Sequence, residues 1–254
     1  MIDINARRRV LVEKYHGNTA KILGNLRGFF KSAVGGTAVE VLSMPAFRDV
    51  AVVVGGVYFA SPENDKSWPN IDEKTHQGDG LIWYKPDPKK KGHVLSEQQG
   101  NFTSGGYLSL DFQGRASLTR LRDMKLQDTP MDHYRIIVQS NLILVDNGQE
   151  DGNSNGSRNA VAALSTQSDG TLSLVVAAEQ DKPSNGNGFT PKEFGDLLVK
   201  WGSKFAINLD GGPSTQFAVR GKNCKNKNPQ SCIMDLIHHT DPTNPMSQVF
   251  SVSK

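Results

Sequence analysis

Residues 190–217 read TPKEFGDLLVKWGSKFAINLDGGPSTQF, and they hold the clearest helix in the chain, the strand that follows it and an unusually polar turn. Thr190 suits the N-cap, Pro191 suits the first helical position, and Glu193 completes a Thr-x-x-Glu capping box. Phe194, Leu197, Leu198 and Trp201 recur at helical spacing, and Gly202 is the expected terminator. That face is expected to pack on a sheet, which makes Trp201 a core residue and not a platform for a ligand. From Lys204 to Asp210 the pattern changes to strict alternation. Phe205, Ile207 and Leu209 point one way, and Ala206, Asn208 and Asp210 the other. The apolar set is expected under the helix, with Asn208 and Asp210 projecting together at the C-terminal end of the strand.

Gly211 and Gly212 then let the backbone approach a ligand closely, and Ser214, Thr215 and Gln216 add hydroxyl and amide groups. An amide, a carboxylate and hydroxyls beside a bare backbone suit a sugar or a phosphate. A hydrogen-bonded turn in which Asp210 caps its own loop uses the same residues. Spacing does not separate the two readings.

The other segments agree with a β-rich α+β domain. Short runs of strand formers (RVLVEKY, DVAVVVGGVYF, GLIWY, GYLSLDF, YRIIV, LILVD, AVAALS, TLSLVVAA, VFSVS) alternate with turn dipeptides such as Asn147-Gly148 and Asp169-Gly170. Short connections favour antiparallel pairing, with a few packed helices. Ile22, Leu23, Leu26 and Phe29 share a helical face, so a second helix is expected within 18–32, weakened by Gly24 and Gly28. Residues 60–80 and 147–158 read as long loops. Residues 1–40 read as a strand and helix extension of a domain spanning 41–254.

Composition excludes several classes. The chain has 254 residues, 37% hydrophobic and 22% charged, with a net charge of +3. That suits one globular domain and gives no argument for nucleic acid. The basic run Lys85 to Lys91 (KPDPKKK) reads as a solvated loop. No apolar run approaches the roughly 20 residues of a membrane span, and MIDINARRRVLVEKYH has no apolar core of a signal peptide. Cys224 and Cys232 lie close together in the polar stretch NCKNKNPQSC, where a disulfide-closed loop fits and implies an oxidising compartment. Two unpaired thiols in a cytoplasmic protein are the alternative. His238-His239 precede Asp241, but neighbours on a strand face opposite ways, so no metal site is read there.

INLDGGPSTQF (207–217) strongly resembles the hallmark stretch of the phosphodiester glycosidase family, in which Asn208, Leu209, Asp210, Gly211, Gly212, Ser214 and Thr215 match and Pro213 replaces a glycine. Further blocks follow in the family's order. They are AVVVGGVYFASP (51–62), GDGLIWY (78–84), VQSNLILVDNG (138–148) and SRNAVAALSTQSDGTLSLVVA (157–177), the last with Arg158 at the family arginine. The resemblance covers roughly residues 48–220. Val54 stands where the family has Asn before its glycines, Asn159 where Thr is common and Ala163 where Gly is common.

The resemblance implies a hydrolase that cleaves between an anomeric carbon and a phosphate oxygen, as in the removal of N-acetylglucosamine from a phosphodiester or in exopolysaccharide metabolism. The chemistry needs a permanently charged phosphate partner, assigned to Arg158, and a carboxylate beside the oxocarbenium-like centre, assigned to Asp210. Asn208, Ser214 and Thr215 are assigned to hydrogen bonds with substrate, and Gly211 and Gly212 to clearance and backbone donors. Gln139, Ser140, Gly55, Gly56 and Tyr58 are further substrate-binding candidates. Phe59 would wall the sugar site or pack in the core. No cofactor is expected, although a divalent cation near Asp210 is compatible with the reading. The partner is a phosphorylated glycan or sugar phosphodiester, and the location is extracytoplasmic, with the signal peptide absent from this chain. The departure at Val54 keeps an alternative open: a non-catalytic member that binds phosphorylated glycans during polysaccharide assembly or remodelling.

Overall fold

Short alternating runs closed by tight turns pair with their neighbours head to tail, and every strand pairing described here is antiparallel. The computed structural model describes residues 2–5, 8–16, 20–23, 38–43, 50–55, 59–60, 77–78, 80–85, 87–96, 104–123, 130–151, 156, 161–179, 188–211, 215–220, 233–237 and 249–253. A seven-stranded sheet has the order β1 (Ile2–Asn5), β2 (Arg8–His16), β15 (Thr171–Glu179), β14 (Val161–Gln167), β16 (Ser203–Asn208), β12 (Ile143–Asp146), β13 (Gln149–Glu150). A second sheet runs β10 (Ala116–Arg120), β9 (Gly106–Asp111), β11 (Tyr134–Ser140), β7 (Ile82–Tyr84), β8 (His93–Ser96). A third runs β18 (Ile233–Ile237), β17 (Phe217–Arg220), β4 (Val50–Gly55), β19 (Val249–Ser253), β3 (Ala20–Leu23), and β5 (Phe59–Ala60) pairs with β6 (Gln77–Gly78). Among the described residues helical content is small: α1 (Ala38–Ser43), α2 (Pro191–Lys200) and a 3-10 turn at Met131–His133.

The main core lies between the first two sheets. Leu108 and Leu110 of β9 and Ile136 and Val138 of β11 pack with Leu164 of β14, Leu174 of β15 and Ile207 of β16, joined by Leu209 and by Phe217 from the third sheet. On the outer face of the seven-stranded sheet, α2 sets Phe194 and Leu198 against Leu144, Val145, Val175 and Ala206. Both capping-box hydrogen bonds form at Thr190 and Glu193, and Gly202 stops the helix at a φ of +83°. Trp201 is half-buried against this second cluster. The helix contains Gly195 because it crosses β12 closely. A Cβ there would stand 2.7 Å from the Leu144 carbonyl oxygen and 2.9 Å from Glu150 Cγ.

Several expectations are corrected. Phe205, Ile207 and Leu209 pack away from α2, in the core between the sheets, and the small Ala206 lies under the helix. Two covered faces explain the sorting: the sheet-to-sheet gap takes large side chains, while a closely packed helix needs a small one. Residues 20–23, expected in a helix, form β3, whose ladder with β19 overrides a pattern already weakened by glycine. Residues 149–150, expected in a loop, form β13, joined to β12 through Asn147 and Gly148 at φ values of +50° and +79°. Such a turn requires two positive φ values, which Asn-Gly supplies. Lys85 is not a solvated loop residue: it is buried, and its ammonium meets the Asp132 carboxylate at 2.9 Å.

Candidate functional site

The candidate site grows from the C-terminal end of β16, a strand clamped on both sides. The Asn208 N–H donates to the Leu142 carbonyl at 3.0 Å, and the Leu209 N–H donates to Ala162 at 2.8 Å. Asn208 is buried and its Nδ2 donates to the Leu209 carbonyl at 2.7 Å. One residue on, Asp210 is 9% exposed and its Oδ1 accepts from the Gly211 N–H at 2.9 Å. The carboxylate thus sits at the mouth of its own glycine turn, as the capped-turn reading expects, and keeps a small face to solvent. That geometry leaves it able to meet a developing positive charge.

Thr215 follows in the sequence, just before β17. It is 1% exposed, and its hydroxyl has no hydrogen-bond partner in the structure. Burying an unsatisfied hydroxyl costs about 1–3 kcal/mol, so the position carries polar capacity that folding leaves unspent.

Gln139 and Ser140 serve the surrounding backbone. Gln139 Oε1 accepts from the Leu81 N–H at 2.9 Å. Ser140 Oγ donates to the Asn208 carbonyl at 2.7 Å and accepts from the Leu142 N–H at 3.2 Å. Both side chains are buried. In this structure they hold the place where the chain leaves β11 and enters β12, crossing from one sheet to the other beside Asn208.

Strand register brings the start of β14 and Gly55 to the same end. Ala163 of β14 lies opposite Asn208, so the start of β14 at Val161 comes level with Asp210, and the sequence just before it carries Arg158. Val54 pairs with Phe217, which sets Gly55 beside the segment holding Thr215 and Gln216. Arg158, Gly56, Tyr58, Gly212 and Ser214 lie outside the described residues, as do Cys224, Cys232, His238 and His239. Phe59 falls in β5.

One charged cluster was not foreseen. Arg120, at the end of β10, donates through Nη2 and Nε to Asp146 Oδ2 at 2.7 and 3.1 Å, and through Nη1 to Asp151 Oδ2 at 3.3 Å. The hydrogen bond to Asp146 raises the Arg120 pKa, burial opposes it, and the charges of Asp151 and Asp146 add to the rise. No local motif announces these residues, since β10 has no pronounced strand pattern and Asp151 reads as half of a turn dipeptide. Among the described residues, no three His, Cys, Asp or Glu side chains cluster so as to hold a metal ion. Among them, too, no helix is long and apolar enough to cross a membrane.

Stacked antiparallel sheets with buried Asn208 and Asp210 at one strand end, ahead of the sequence Gly211-Gly212, define a β-rich fold. The family model for phosphodiester glycosidase matches residues 48–237. The chain belongs to the phosphodiester glycosidase family.

Solved structures share the fold. The zebrafish N-acetylglucosamine-1-phosphodiester alpha-N-acetylglucosaminidase catalytic domain, auto-inhibited by its pro-peptide, is similar with a TM-score of 0.61 and 13% identity over 100% of this chain and 85% of that one. A hypothetical protein from Synechocystis matches with a TM-score of 0.53 and 13% identity, over 99% of this chain and 60% of its own. A protein of Burkholderia pseudomallei described as exported matches with a TM-score of 0.53 and 14% identity, over 96% and 74%. No curated protein matches the chain.

Proposed function

We propose that this protein hydrolyses a sugar-1-phosphodiester in a glycan, glycolipid or envelope polysaccharide, breaking the bond between the anomeric carbon and the phosphate oxygen. The observation that carries the reading is the buried Asp210 carboxylate at the end of β16, followed five residues on in the sequence by the buried, unpartnered Thr215 hydroxyl. Family membership supplies the reaction class.

In this reading Asp210 faces the anomeric centre and stabilises or traps its positive charge. Arg158 grips the phosphate oxygens, and the phosphate monoester leaves with little need for a strong general acid. Thr215, Ser214 and Asn208 hydrogen-bond the substrate, with Gly211 and Gly212 giving clearance. Ser140 acts by positioning Asn208, and Gln139 by holding the backbone at Leu81. Gly55, Gly56 and Tyr58 contribute to substrate binding in this reading. Work outside the cytoplasm goes with such a substrate, and one structural neighbour is described as exported.

The test is sugar release from UDP-N-acetylglucosamine and from a synthetic N-acetylglucosamine-α-1-phosphodiester. Wild type turns over, and a folded Asp210→Asn variant loses roughly 10²–10³-fold or more, as when a group that stabilises transition-state charge is removed. Affinity for phosphorylated glycans with no product from a wider panel of sugar-1-phosphodiesters would replace this reading with a binding protein.

A further inference from the structure

Where β9 begins, two glycines press into the turn that supports Asn208. Gly105 has a φ of +91°, and a Cβ there would stand 2.5 Å from the Asn141 carbonyl carbon and 2.6 Å from its Cα, with the Ser140 carbonyl oxygen closer still. At Gly106 a Cβ would stand 2.6 Å from the Thr119 carbonyl oxygen and 3.1 Å from Ile143 Cδ1. Gly105 is itself fixed in place. Its carbonyl accepts from the Leu121 N–H at 3.0 Å, and β9 has a ladder on each side, with β10 and with β11.

The turn that meets Gly105 holds both backbone groups of Asn208. The Leu142 carbonyl accepts from the Asn208 N–H at 3.0 Å, and Ser140 Oγ donates to the Asn208 carbonyl at 2.7 Å. Ile143, the next residue, pairs with Ile207 of the same strand. Carbon atoms in contact sit roughly 3.5–4.0 Å apart, so a side chain at position 105 has to displace its neighbours by about 1 Å. With β9 held by two ladders, that displacement falls on Ser140, Asn141 and Leu142. It then reaches Asn208 through both hydrogen bonds, two residues before Asp210. A misplacement of about 1 Å that starts far from the chemistry can cost up to about 10²-fold in rate.

We propose that Gly105 is a positioning residue for the Asp210 site, acting through Ser140 and Leu142 on Asn208. It lies outside every sequence block that carries the family resemblance. Its link to turnover rests on the hydrolase reading above, while its link to Asn208 stands apart from that reading. Gly114, in the turn that follows β9, supplies the control: its φ is +80°, and a Cβ there would meet nothing within 4 Å. Gly114→Ala therefore carries the backbone strain of a positive φ without the collision.

The experiment compares Gly105→Ala with Gly114→Ala in the full chain, by steady-state kinetics on the synthetic N-acetylglucosamine-α-1-phosphodiester and by ¹⁵N NMR of the Asn208 and Leu209 amides. Both variants lose stability. Gly105→Ala is expected to lower kcat at least about ten-fold, with KM within about two-fold of wild type, and to shift both amide signals. Gly114→Ala is expected to keep kcat and leave those signals in place. Ser140→Ala removes a donor without adding bulk and is expected to lower kcat as well. Because the two positions act through one turn, the double variant should lose less than the product of the single effects.

Equal kcat in the two glycine variants, a change confined to KM, or unmoved Asn208 and Leu209 signals in Gly105→Ala overturns the proposal. If Gly105→Ala does not fold, Ser140→Ala decides: an unchanged kcat or an unmoved Asn208 signal overturns it, and a fall in kcat with a moved signal supports it. A wild type that turns over no phosphodiester, while the Asn208 signal moves in Gly105→Ala and not in Gly114→Ala, sinks the hydrolase reading alone.

Discussion

Replacing Thr215 with Val separates folding from function at one atom. Valine keeps the branched shape and exchanges a hydroxyl for a methyl. Thr215 is 1% exposed and its hydroxyl has no partner, so the free protein carries a desolvated group at a cost of about 1–3 kcal/mol. Removing it is expected to stabilise the fold by about 1 kcal/mol, which raises Tm by roughly 2–4 °C for a chain of this size. Activity is expected to move the other way. If the hydroxyl meets substrate, kcat/KM falls by roughly 5–100-fold, the loss of one hydrogen bond made in the bound state. Thr215→Ser is the counterpart: it keeps the hydroxyl, loses a buried methyl for about 1 kcal/mol and retains turnover. Thermal and urea unfolding measured beside steady-state kinetics read both quantities. A Thr215→Val protein less stable than wild type by 1 kcal/mol, or one with full turnover, refutes the reasoning.

Other perturbations test the frame. Gly195→Ala gains up to about 1 kcal/mol of helix propensity, yet its Cβ would press the Leu144 carbonyl, and overpacking costs about 1–3 kcal/mol; a net loss in urea unfolding is expected, and a gain would mean α2 sits farther from β12. Thr190→Ala removes the hydroxyl that accepts from the Glu193 N–H, while the Thr190 backbone N–H can still reach the Glu193 carboxylate; it is expected to cost about 1 kcal/mol, read as a lower urea midpoint with an unchanged m-value. Burial pushes the Asp111 carboxyl up, but hydrogen bonds from the Arg115 side chain and from the Arg115 and Gln113 backbone outweigh it and hold the group below its usual range. Its stabilisation is therefore present above the unfolded carboxylate range, near pH 4, and is lost as pH falls through the lower folded value. With Arg115 exposed the effect is small, about 1 kcal/mol at most, and the gap between wild type and Asp111→Asn should close in unfolding curves taken down to pH 2.

Legibility followed the range of the forces involved. The capping box and terminator of α2 are local, and they stand where TPKEF and Gly202 place them. Alternation identified β16. What alternation alone does not supply is which covered face is which: Phe205, Ile207 and Leu209 are a sheet-to-sheet set only once β9 and β11 are seen opposite them. The Arg120 cluster joins residues 26 and 31 positions apart, and β3 depends on a partner at the other end of the numbering. Such long-range pairings leave no signature within a window of sequence.

The third sheet has a consequence for how the protein is made. Its strand β19 inserts between β4 and β3, and the two ladders pair residues 20–23 and 50–55 with residues 249–253. At a synthesis rate of about 5–20 residues per second, β4 emerges from the ribosome roughly ten to forty seconds before the strand that will lie beside it. Throughout that interval its edge is an open template for other chains. Expression at lower temperature, or with a holding chaperone that covers that edge, should raise the yield of folded protein more than any substitution in the already complete α2 segment.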